Sequence, residues 1–244
     1  MTALSITAAD GAAEGFLYTP ANGEGPWPGV IFLTDIYGIR PENQGMAQRV
    51  AEQGYAVLMP NIFYRTDKLP IMDAPFKPDE PQATARLQYL LGLVDAGMMV
   101  RDGAAYVDFL LARPEVKGTK VAVVGYCFTG QFALRTAAAA PDKVAAAASF
   151  HGGRLVTDAP DSPHTVLPKV KAELYFGHAV EDKSMPADAV EKLDLALKGW
   201  GGAYQSEVYE GAHHGWTVPG KSVFNPVQAE RHYDKLFDLL KRTL

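Results

Sequence analysis

Apolar positions along this chain come in two rhythms. Short, nearly unbroken runs, Gly29–Thr34, Ala56–Met59, Lys120–Tyr126, Ala145–Phe150, Ala172–Phe176 and Ser206–Tyr209, end in Gly, Pro, Asn or Asp and read as buried or half-buried strands. Between them lie longer amphipathic stretches with helical spacing: Glu42–Glu52, Ala83–Ala96, Met98–Leu111, Gln131–Ala140, Ala187–Leu197 and Asn225–Leu240. Strand and helix in alternation predict a parallel sheet covered on both faces, an α/β fold, because parallel crossovers place helices outside the sheet. Gly15–Thr19 is expected as an added antiparallel edge strand. Asn61–Pro81 breaks the rhythm: Pro70, Pro75, Pro78 and Pro81 resist helix and central strand alike. A loop of that length is expected to lie near the site as a lid or binding loop. No repeat or linker interrupts the pattern, so residues 1–244 are read as one domain.

Composition narrows the class. With 244 residues, 48% of them apolar, the chain can bury a core that needs no metal or disulfide. Its single cysteine, Cys127, excludes an internal disulfide framework and a cysteine-based zinc cluster, and suits a reducing, cytoplasmic setting. The net charge of −5 offers no basic footprint for nucleic acid. The best apolar runs, Gly29–Leu33 and Val144–Phe150, are far too short for a membrane span, and Met1 to Gly11 carries no secretory pattern.

What one cysteine does in such a chain depends on its place. Cys127 sits at a strand-to-helix turn, Gly125-Tyr126-Cys127-Phe128-Thr129-Gly130, the context of a nucleophile elbow. Small flanking residues let strand and helix backbones approach, and the helix N-terminus favours a thiolate and can hold an oxyanion. The fifth position of the usual elbow pattern, a glycine, is Thr129 here. A nucleophile of this kind takes an acid and then a histidine from later loops, each after a strand. The loop after Ala172–Phe176 offers Glu181 and Asp182; the loop after Ser206–Tyr209 offers His213 and His214. Spacing alone leaves both choices open. No further cluster at ligand spacing accompanies the paired histidines, so no metal or other cofactor is implied.

Several motifs in order resemble the dienelactone hydrolase family of α/β-hydrolases. They are Thr34-Asp35-Ile36-Tyr37-Gly38, Gln53-Gly54-Tyr55-Ala56-Val57, the Gly125-Tyr126-Cys127 elbow, the Phe176–Pro186 loop and Ala212-His213-His214-Gly215-Trp216, and the likeness runs from about Gly15 to Leu239. The resemblance implies an α/β-hydrolase acting on a small-molecule ester or lactone through a Cys127–His214–Asp182 triad, with the Ile36 and Phe128 amides as oxyanion hole. It also implies a carboxylate in the first loop, here Asp35, that orients the resting thiol. Tyr37, Tyr64, Arg86, His151 and Trp216 are the candidate substrate-binding residues. Lactonase members carry an arginine four residues beyond the histidine, where this chain has Val218, and neither Arg86 nor Arg101 aligns with their second arginine. A site without that clamp would regain too few hydrogen bonds to desolvate an anion, so a neutral or more apolar substrate is expected. The competing reading is a catalytically weak relative that binds a small molecule, with Asp35 and Thr129 as its signs of drift.

Overall fold

A computed structural model describes residues 1–66, 68–71 and 81–244. Eight strands form one sheet in the order β1-β2-β4-β3-β5-β6-β7-β8. These are β1 (Thr2–Ala8), β2 (Gly11–Tyr18), β3 (Trp27–Leu33), β4 (Ala56–Pro60), β5 (Val116–Tyr126), β6 (Val144–Phe150), β7 (Glu173–Ala179) and β8 (Tyr204–Tyr209). From β4 to β8 neighbouring strands run parallel, while β1 and β2 are antiparallel at one edge. The helices are α1 (Pro41–Ala51), α2 (Pro81–Gly92), α3 (Ala96–Leu111), α4 (Gly130–Ala139), α5 (Ala187–Trp200) and α6 (Pro226–Thr243).

The alternation of side chains explains the layers. Val30 and Phe32 of β3 and Ala122, Val124 and Tyr126 of β5 pack with Met46 and Val50 of α1 and Leu236 of α6. Ile31, Leu33, Val121 and Val123 face the other way, onto Tyr106 and Leu110 of α3 and Phe132 and Ala133 of α4. Burial on both faces is why these strands read as continuous apolar runs. Helix ends follow local chemistry. Pro41, Pro81 and Pro226 open α1, α2 and α6, and the Asp95 carboxylate accepts the Met98 amide at 2.8 Å to cap α3. Gly201, at φ +73, stops α5 in the left-handed cap that glycine adopts without strain.

Two elements differ from expectation. β1 has no counterpart among the predicted strands; it lies at the sheet edge, and only Ile6 and Ala8 of its seven residues are buried. Asp95 caps a new helix where the pattern had run one on to Ala96, so α2 stops at Gly92. The Pro-rich loop falls partly outside the described residues, at 67 and 72–80. Its described start packs inward: the Asn61 side chain accepts the Phe63 amide at 3.0 Å, and the Phe63 ring stacks on Phe128 with centroids 6.1 Å apart. No helix among the described residues is long and apolar enough to cross a membrane.

Candidate active site

The carboxyl ends of β3, β5, β6, β7 and β8 bring their loops to one place. β5 delivers Cys127 with φ +60, a left-handed conformation unusual for a residue with a side chain. The turn is tight enough to dictate its neighbours. A Cβ on Gly125 would lie 2.1 Å from the Thr129 carbonyl oxygen, and one on Gly130 would lie 2.1 Å from the Ser149 hydroxyl. Neither position can carry a side chain.

His214, from the loop after β8, places Nε2 3.1 Å from the Cys127 Sγ, and its Nδ1 lies 2.6 Å from Asp182 Oδ2 in the loop after β7. The other Asp182 oxygen accepts the Ser184 amide at 2.8 Å and its hydroxyl at 2.7 Å. Burial alone would push His214 down, but its interactions with the Cys127 sulfur and the Asp182 carboxylate raise it to about 10. Burial alone would raise Asp182, and its hydrogen bonds from His214 and Ser184 hold it below the usual carboxylate value instead. The arrangement is an imidazole held between the Cys127 sulfur and a carboxylate. The alternatives left open by spacing, Glu181 and His213, are both exposed, and neither bonds to Cys127 or His214. Among the described residues no group of three or more His, Cys, Asp or Glu side chains could hold a metal ion.

A second imidazole stands behind the elbow. His151, at the end of β6, is 1% exposed, and its Nδ1 accepts the Cys127 backbone N–H at 3.0 Å. Its Nε2 therefore carries the hydrogen and donates to the Thr217 hydroxyl at 2.8 Å. Burial, reinforced by the nearby His214 charge, pushes His151 well below the usual histidine value, so it is neutral. Expected as a substrate-binding residue, it instead holds the backbone of Cys127.

Other expected residues also lie elsewhere. Trp216 is fully buried, stacked on Tyr209 with centroids 4.8 Å apart, and does not line the pocket. Aromatic character suits a core as well as a pocket wall, and here the core takes it. The Tyr64 hydroxyl donates to Asp102 at 3.0 Å and accepts the Asp10 amide at 3.1 Å, which ties the β1–β2 turn to α3. Arg86 donates to the Ile71 carbonyl at 2.9 Å. The Tyr37 ring is covered by Lys221 and Arg40, at 4.6 and 5.1 Å from its centroid.

Asp35 departs furthest from its expected role beside the thiol. Its fully buried carboxylate takes both guanidinium nitrogens of Arg40, at 2.6 and 2.8 Å, and the Lys221 ammonium at 2.8 Å. Burial would raise it, but these two cations hold it far below the usual carboxylate value. The bridge to Lys221 joins the loop that follows β3 to the segment that follows His214.

A cavity of about 400 Å³ opens over the thiol, and Cys127, His214, Ile36 and Phe128 line its floor. The Ile36 amide donates to no other group among the described residues. One wall is apolar, from Leu87 and Leu91 of α2, Val94, and Met99 of α3. The other carries Arg135, Arg154 and Asp161. Arg154 forms no ion pair among the described residues, and Arg135 is 5% exposed with its Nε buried and unpartnered. Sequence reasoning missed both arginines. Arg154 lies three residues beyond His151 in a loop at the carboxyl end of a parallel strand, the place where such folds put chemistry, and that rule pointed to it.

Known proteins resemble this chain over nearly its whole length. A model of the dienelactone hydrolase family matches residues 13–244. A putative carboxymethylenebutenolidase of Synechocystis is 27% identical over 233 residues, covering 94% of this chain and 92% of the relative. The carboxymethylenebutenolidase of Rhodococcus opacus is 26% identical over 83% of this chain and 75% of its own length. In three dimensions a putative dienelactone hydrolase from Klebsiella pneumoniae superposes with a TM-score of 0.86 at 20% identity, over 98% of this chain and 97% of that one. A dienelactone hydrolase from Anabaena variabilis gives 0.72 at 20% identity, over 100% and 97%. The fold is that of an α/β-hydrolase, as the alternation of elements and the motifs led one to expect.

Proposed function

Because the chain belongs to the dienelactone hydrolase family, we propose that it hydrolyses carboxylic esters or lactones through Cys127, His214 and Asp182. The observation that carries this reading is the continuous line of contacts from Sγ through the imidazole to a buried carboxylate, on the floor of a cavity. The thiolate attacks the carbonyl carbon, a C–S bond forms, and the carbonyl electrons move to oxygen, where the Ile36 and Phe128 amides receive them. Collapse breaks the C–O bond, and the leaving alkoxide takes the proton from His214 Nε2. Water then gives a proton to the neutral imidazole as it attacks the thioester carbonyl. The second collapse expels the thiolate and restores the ion pair, with Asp182 keeping the Nδ1–H tautomer throughout.

The test is an activated ester assayed with wild type and Cys127→Ala. A burst of leaving group equal to the enzyme concentration, absent from the variant, supports the reading; equal background rates overturn it and favour a binding protein. Asp35 and Thr129, the supposed signs of drift, both have partners: the former an ion-pair cluster, the latter the elbow itself.

Val218 is fully buried away from the cavity, so it does not decide the charge that the substrate meets. Arg154 and Arg135, against the single Asp161, make one wall net cationic, while the α2–α3 wall is apolar. This favours an ester or lactone with an apolar body and an anionic substituent, in place of the neutral substrate expected from the sequence. An exposed pair is worth about 1 kcal/mol at most. Arg154→Gln is therefore expected to lower kcat/KM for a carboxylated ester about fivefold while leaving its neutral analogue unchanged; equal effects on both would remove Arg154 from substrate recognition.

A further inference from the structure

We propose that Thr129 is a positioning residue which locks the two halves of the oxyanion hole at a fixed separation. The proposal goes beyond the triad but rests on the reading of Ile36 and Phe128 as the oxyanion donors. Thr129 stands where the usual elbow has glycine, and it is 0% exposed. Its hydroxyl oxygen accepts the Tyr126 N–H at 2.9 Å. Three carbonyl oxygens lie within reach of its one proton: Tyr126 at 2.8 Å, Thr34 at 3.0 Å and Leu33 at 3.1 Å.

The reason for this cluster lies in the sheet. The ladder between β3 and β5 ends at the pair Leu33–Gly125. Beyond it β3 turns away into the loop that carries Asp35 and Ile36, and β5 turns into the elbow. The Tyr126 amide and the Leu33 and Thr34 carbonyls meet at this buried place, just past the last β3–β5 pair, within reach of one side chain. Buried backbone groups need partners, and the Thr129 hydroxyl accepts from one of them and shares its proton among the carbonyls across the gap. The same hydroxyl ties Tyr126, the residue before Cys127, to Thr34, two residues before Ile36. Phe128 lies directly before Thr129 in the tight turn. The brace therefore spans from one amide donor to the other without touching substrate. Gly125 and Gly130 fit this arrangement, since a side chain on Gly125 would strike the Thr129 carbonyl.

The test compares Thr129→Val, which removes the hydroxyl at nearly constant shape, with Thr129→Ser, which keeps it. Two reactions of Cys127 are followed in each: turnover of an activated ester, which forms an oxyanion, and alkylation by iodoacetamide, which does not. Thr129→Val is expected to lower kcat roughly 10- to 100-fold, the range for misplacing catalytic groups by a fraction of an ångström to an ångström. KM and the alkylation rate are expected to stay within about threefold of wild type, as are all three quantities in Thr129→Ser. A merely structural role would move turnover and alkylation together. Unchanged kcat in Thr129→Val, parallel loss of both reactions, or a serine variant whose kcat falls as far as the valine range overturns the proposal. If the valine variant does not fold, the serine variant alone decides on that last criterion. A wild type that shows no Cys127-dependent turnover overturns the hydrolase reading instead, a result distinct from each of these.

Discussion

Two imidazoles flank Cys127, with ring centroids 5.1 Å apart, and the protein drives them to opposite states. His214 stands between the Cys127 sulfur and a carboxylate at the cavity floor and is raised toward the charged form; His151 is sealed behind the elbow, where no carboxylate bonds to it, and is neutral. The residue type is the same and the distance to the nucleophile is similar. What separates them is partner chemistry: a carboxylate and the cysteine sulfur in one case, a backbone N–H and a threonine hydroxyl in the other. The charged ring can give and take the reaction's protons. The neutral one can only hold geometry, because ionising it would place an unpaired charge in the core.

That contrast is open to direct attack. His214→Gln is expected to reduce kcat about 10³-fold or more, since it removes the group that would carry the reaction's protons; turnover of an activated ester checks this. His151→Leu is expected to act first on stability. The Cys127 amide loses its acceptor in a buried place, at about 1–3 kcal/mol, or a fall in Tm on the order of 2–10 °C. His151→Asn, whose Oδ1 can occupy the place of Nδ1 and which tolerates the φ of +40, is expected to recover most of that loss. If the two variants at 151 are equally unstable, the hydrogen bond to Cys127 is not what His151 contributes.

The smallest effect is in the pH dependence, and it has opposite signs for the two rings. His214 is raised in the folded state to about 10. Its contribution is complete below the unfolded value of about 6.5 and is lost as the pH rises toward 10. His151 is depressed, so its contribution is complete above about 6.5 and is lost on acidification below it. His178 and His232, lowered by burial to about 4 and about 3, share that acid limb. In thermal unfolding from pH 5 to 10, His214→Gln is expected to flatten the alkaline limb and His151→Asn part of the acid one. A variant that flattens the wrong limb would reverse the assignment of charge.

Much of this was legible in the sequence because it is local or periodic. The buried runs of β3, β5 and β6 carry their signal in every residue, and the elbow is announced by Gly125, Cys127 and Gly130 in consecutive turns of chain. Asp182 and His214 follow strands in the expected order. What was illegible depends on meetings across the chain. Lys221 reaches Asp35 from 186 positions away, and nothing near Asp35 foretells that its carboxylate will be taken. Tyr64 and Trp216 have the right chemistry for a pocket wall; only the packing of α3 and β8 shows that it is used inside. Thr129 looked like a defect in a motif until the gap between β3 and β5 was visible.

Among the described residues, four with side chains adopt left-handed backbone conformations: Cys127, His151, Arg154 and Glu181. Each lies within four residues after the end of β5, β6 or β7, at the carboxyl edge of the sheet. Glycine would sit at any of them with less strain, and a chain selected for stability alone would drift toward it. Three of the four belong to the candidate site: Cys127 bonds to His214, His151 to the Cys127 amide, and Arg154 lines the cavity. Glu181 is exposed and has no such duty, so Glu181→Gly is the one exchange among them that can relax the fold without emptying the site. The backbone torsions alone, read with every side chain hidden, would have pointed to the same corner of the molecule.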